Sequence, residues 1–97
     1  MKNALSKFFD LIREDNRIGT SHVSLYMAMF ELWNQNNCQG PVSITRQKLM
    51  ISSKISGVAT YHKCIRDLND YGYIRYEPSY NPSVQSRVNL IFDNILA

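Results

Sequence analysis

Residues that carry covalent or metal chemistry are scarce in this sequence. Its 97 residues include two cysteines and two histidines. Cys38, Cys64, His22 and His62 show neither the paired-cysteine nor the paired-histidine spacing of a metal site. His62 and Cys64 are two apart, so on a helix they diverge. No glycine-rich phosphate loop or nucleophile elbow occurs, and the acids are scattered among bases. These absences argue against an enzyme, and neither a cofactor nor a small-molecule ligand is expected. A lone disulfide suits an unsecreted chain poorly, so buried or idle thiols are expected.

Long apolar runs are missing too. None approaches the roughly 20 residues needed to cross a bilayer. The start, Met1 to Lys7, lacks the apolar block and cleavage site of a secretory signal. The expectation is a cytoplasmic protein with no membrane partner. Glycine and proline are few, with four and three copies, so each one marks a break in the chain.

What remains is ordinary for one globular domain spanning 1–97, with 44% apolar and 20% charged residues. The net charge of +3 is unevenly placed. Between Pro41 and Ile91 seven bases (Arg46, Lys48, Lys54, Lys63, Arg66, Arg75, Arg87) face three acids, a balance of +4. The rest carries −1, from four bases and five acids. Such a skew suits a polyanionic partner.

Periodicity places the elements. Leu5, Phe8, Phe9 and Ile12 recur at helical steps, predicting a helix over Asn3 to Glu14. Gly19 then offers a positive-φ break. Thr20 or Ser21 is the expected cap of a second helix reaching about Asn36. That helix is apolar on nearly every side, from Val23 to Trp33, and so must be covered on most faces. It is expected to be the central beam of the core or part of a homodimer interface.

Gly40-Pro41 is a turn signal, and Val42-Ser43-Ile44 is a candidate short strand. Thr45 should cap a short helix ending near Ile51. A polar break, Ser52 to Ser56, follows. A longer amphipathic helix then runs from about Gly57 to Tyr71, with Val58, Tyr61, Ile65 and Leu68 on its buried side. Ala59, Lys63, Arg66 and Asp70 point the other way. Gly72 suits the left-handed position after the helix. Two alternating runs, Tyr73 to Glu77 and Ser86 to Phe92, make a hairpin. Its loop, Pro78 to Gln85, contains two prolines that discourage pairing. Ile74 and Tyr76 share one face; Tyr73, Arg75 and Glu77 share the other. Residues 93–97 are expected to be a frayed end or a short helical tail.

Helix, turn, helix, hairpin is the order of a winged helix-turn-helix. The stretch Ile44 to Met50, with Ala59-Thr60-Tyr61 to Tyr71-Gly72-Tyr73-Ile74, resembles that superfamily over about half the chain. Thr60, Tyr61, Ile65, Leu68 and the Gly72-Tyr73-Ile74 strand start carry the resemblance. It looks like small bacterial regulators and replication initiators, including kinds carried on mobile elements. Two features depart from the pattern: the turn at Ser52 to Ser56 is longer and more polar, and Tyr61 stands where Val or Ile is commoner.

The resemblance implies an α+β, mainly helical fold: a winged helix-turn-helix with three to four helices and a two- or three-stranded wing. Residues 1–37 would support or dimerise, and 42–92 would hold the helix-turn-helix and wing, with Val42 to Ile44 as its third strand. The implied function is sequence-specific binding of double-stranded DNA, as in a transcriptional regulator. Ser53, Lys54 and Ser56 are expected at phosphates before the second helix. Thr60 and Lys63 are expected near base edges. His62, Arg66, Arg46 and Lys48 are expected along the backbone, with Tyr80 and Arg87 on the wing. A rival from another class is a winged-helix interaction module, or a replication accessory factor, with little DNA affinity of its own.

Overall fold

The computed structural model describes residues 4–92. Along them run α1 (Ala4–Ile12), α2 (Thr20–Gln35), β1 (Val42–Ile44), α3 (Arg46–Ser53), α4 (Val58–Asp70), β2 (Ile74–Glu77) and β3 (Ser86–Leu90). About half of the described residues are helical, and the class is α+β. The strands form one antiparallel sheet in the order β1-β3-β2.

α1 is shorter than its apolar spacing predicts. Glu14 N–H donates to the Leu11 carbonyl at 3.3 Å and Asp15 N–H to Ile12 at 3.1 Å. These three-residue steps tighten and close the helix. Asn3, the expected start, lies outside the described residues. Phe8 is buried and stacks on Tyr26 of α2, with ring centroids 3.7 Å apart.

α2 is the beam around which the other elements pack. Leu25, Tyr26, Ala28 and Met29 are buried, while Val23, Phe30, Leu32 and Trp33 are partly covered. α3 and α4 lie against it, as does β3. Its all-round apolarity is thus largely covered within one chain. The cap differs from expectation. Gly19, with φ −110°, occupies the N-cap in extended backbone rather than with positive φ. Thr20 and Ser21 are already inside the helix. The Gly19 N–H is taken instead by His22 Nδ1 at 3.0 Å.

β1 alternates as predicted, with Val42 and Ile44 buried and Ser43 exposed. It joins the hairpin as the third strand, Val42 opposite Val88. Thr45 caps α3, its Oγ1 accepting from Lys48 N–H at 3.2 Å. α3 runs past Ile51 to Ser53 and stops at Lys54, whose φ of 63° is left-handed. The break between the two helices is therefore residues 54–57.

On α4, Tyr61, Cys64, Ile65 and Leu68 are buried, and the predicted stripe is there. Val58 is the exception at 44% exposed. It lies at the stripe's edge in the first turn of the helix. The C-terminus closes as a Schellman motif: Tyr73 N–H donates to Leu68 O at 2.9 Å and Gly72 N–H to Asn69 O at 3.2 Å. Gly72 has φ 88°, which glycine tolerates without a Cβ clash.

The hairpin pairs Ile74 with Leu90 and Tyr76 with Val88. Tyr73 corrects the two-face reading. It is buried, not on the outer face with Arg75 and Glu77. It precedes the strand proper, meets Phe8 edge-on at 5.6 Å and donates its O–H to Asp15 at 2.7 Å. The tail expected at 93–97 lies outside the described residues.

Candidate nucleic-acid interface

α4 is fixed in its roll by its apolar stripe and by two polar ties. His22 of α2 is buried, and its Nδ1 accepts the Gly19 N–H. An Nδ1 that accepts leaves the ring proton on Nε2. Nε2–H then donates to Asp67 Oδ2 at 2.8 Å. Lys63 Nζ, one turn back on α4, donates to the same oxygen at 2.6 Å. The hydrogen bond from Lys63, then that from His22, hold the Asp67 carboxyl below the usual range. Asp67 thus ties α4 to the start of α2 while it anchors one outward base. Two residues further along α4, Asn69 Oδ1 accepts the Tyr76 N–H at 2.9 Å and ties the helix to β2.

With this roll, Thr60, His62, Lys63 and Arg66 are all exposed, as are Ala59 and Asp70. Arg46 and Lys48 are exposed on α3, and Lys54 and Ser56 in the turn before α4. Ser53 is not. It is 3% exposed, and its hydroxyl donates inward to Met50 O at 3.4 Å. Its carbonyl accepts from Ser24 of α2. Because α3 continues through Ser53, that residue packs against α2 instead of reaching outward.

The turn faces a hydroxyl-lined depression of about 390 Å³. Lys54, Ser56, Gly57 and Thr60 line one side, and Thr20, Ser21 and Ser24 the other. The first turns of α2 and α4 both border it. The three α2 residues were not singled out from the sequence, since only the packing of α2 on α3 and α4 brings them here. The hydroxyls of Thr20 and Ser21 just after Gly19 are a local signal that fits a helix cap equally well.

The bases differ in how they are paired. Arg13 is paired with Asp10 at 2.7 Å and Arg17 with Asp15 at 2.8 Å, both near α1. Arg46, Lys48, Lys54, Arg66 and Arg75 are exposed and form no ion pair among the described residues. Arg87 on β3 reaches Glu77 across the strand pair at 3.5 Å. The loop between those strands holds Tyr80, which is 93% exposed. Ser79 steadies the loop from its base, its N–H donating to Ser86 Oγ at 3.0 Å.

Burial pushes the Cys64 thiol up, away from the reactive thiolate. Burial also pushes the Tyr61 hydroxyl up to about 12. Cys38 and Cys64 are both free thiols. Among the described residues no three His, Cys, Asp or Glu side chains cluster so as to hold a metal ion. No described helix is long and apolar enough to cross a membrane. No protein-family model, no curated protein and no solved structure matches this chain.

Proposed function

We propose that this chain is a winged helix-turn-helix protein that binds double-stranded DNA in a sequence-specific way and acts as a transcriptional regulator. The observation that carries the reading is the set of exposed bases without ionic partners among the described residues, Arg46, Lys48, Lys54, Arg66 and Arg75. Arg13 and Arg17, near α1, are paired with nearby acids, whereas these five are left for a partner outside the chain. A phosphate backbone is the partner that rewards such a set, because each neutralised phosphate releases counterions. The element order supports the reading: α3, a short turn, α4, then a hairpin completed by β1. In that layout α4 enters the major groove, the turn with Lys54 and Ser56 meets phosphate, and the Tyr80 loop lies along the flanking backbone. Lys63 gives up only an exposed pair to reach a base edge, and such pairs are weak. The regulator role rests on the sequence resemblance alone.

The test is binding to a duplex selected from a random pool and to a scrambled duplex, across a salt series. Lys54→Ala and Arg66→Ala should weaken both duplexes alike, with the slope of log K against log salt shallower by about 0.9 each. Lys63→Ala should lose preference for the selected duplex more than general affinity. A wild-type protein that binds neither duplex at low salt sinks the proposal. The rival interaction module is favoured by Phe9 of α1 and Met27 of α2, which are 37% and 36% exposed. Failure on DNA would move attention to them.

A further inference from the structure

Val58 is the residue whose place the amphipathic pattern assigned to the core and the structure assigned to solvent. It opens α4 with 44% of its surface exposed. Ala59 follows it, also exposed. These two apolar residues open the helix, while Lys54 precedes them and Lys63 and Arg66 follow them. Val58 therefore adds little to the core, and an apolar side chain gains nothing from water. The early residues of a groove-entering helix are the ones that meet base edges. On those edges the major groove offers one apolar group, the C5-methyl of thymine. We propose that Val58, with Ala59 beside it, reads thymine methyl groups, so that the bound site contains a required T·A pair opposite the start of α4.

This inference rests on the DNA reading above and adds the identity of a contacted base. Burying one methyl is worth about fourfold in affinity. The full chain is first used to select duplexes. Each thymine of the selected site is then replaced singly by deoxyuridine, which removes only the methyl. Wild type should lose about fourfold at one or two positions and nothing elsewhere. Val58→Ala should bind the thymine duplex about that much more weakly and be nearly indifferent to the same uracil. Val58→Thr keeps the branched shape and one methyl, and should retain part of the discrimination. Because the site is exposed, circular dichroism should show both variants folded. Uracil tolerated at every position by wild type overturns the inference while leaving DNA binding intact. A uracil penalty undiminished in Val58→Ala overturns it too. No binding to any duplex overturns both readings together.

Discussion

Asp67 and Asp15 each accept hydrogen bonds from two partner side chains, and each does a different job. Asp67 accepts from buried His22 and exposed Lys63. Asp67→Ala leaves the His22 Nε2–H without its acceptor, a loss of about 1–3 kcal/mol for a buried polar group. Lys63→Ala breaks only the exposed half and should leave the urea midpoint nearly unchanged. Equal losses in the two variants would mean that the His22 link carries no weight. Asp15 accepts from Arg17 and from the Tyr73 O–H. The Arg17 guanidinium, joined by Tyr73, holds its carboxyl well below the usual carboxylate range. A carboxyl depressed by folding stabilises the fold above its unfolded value of about 4 and loses that contribution as pH falls through the folded value. Urea midpoints between pH 7 and pH 2 should therefore fall on the acid side. Asp15→Asn should lower stability at pH 7 and make the acid decline shallower.

At the level of elements, α4 is held by its stripe and α3 by its two ends. Ile65→Ala or Leu68→Ala empties a buried site and should cost about 2–5 kcal/mol in urea titration. A loss near zero would mean that α4 is rolled differently and that its outward residues are misassigned. The turn between α3 and α4 has a sharper consequence. Lys54 has φ 63°, a conformation that suits glycine and strains other residues. Lys54→Gly should therefore raise stability, by up to about 1 kcal/mol, and at the same time weaken binding to any duplex. A thermal melt and the salt series read the two effects separately.

For the whole molecule, the open question is how many copies act together. α2 is mostly covered within one chain, but Phe9 and Met27 remain exposed on α1 and α2. A homodimer through these two helices is the expectation from the sequence, and its symmetry would match half-sites about 34 Å apart. Sedimentation equilibrium at micromolar concentration should then give twice the 11.3 kDa chain mass. Met27→Glu should return it to a monomer, and a monomeric wild type counts against this interface.

Much of this architecture was written in local signals. The order of helices and strands, the Thr45 cap and the Gly72 stop were legible because each acts over a few residues. Helical period picked out Tyr61, Ile65 and Leu68, since a buried stripe repeats whatever covers it. The outward placement of Ala59, Lys63, Arg66 and Asp70 followed from the same period, and that of Lys54 from the polar break before α4. What period could not supply was the neighbour. Val58 shares the stripe but lies beyond the core's edge, and only the length of packed contact decides that. Ser53 turned inward because α2 lies behind it, 29 residues away at Ser24. Tyr73 turned inward because Phe8 and Asp15 wait there, the latter 58 residues away. His22 became both a helix cap and the anchor of α4 through Asp67, 45 residues on. Local rules act through the chain's own backbone, so sequence determined the elements and their inner faces. Burial at an edge and hydrogen bonds across dozens of residues depend on what stands opposite, so only the tertiary structure decided them.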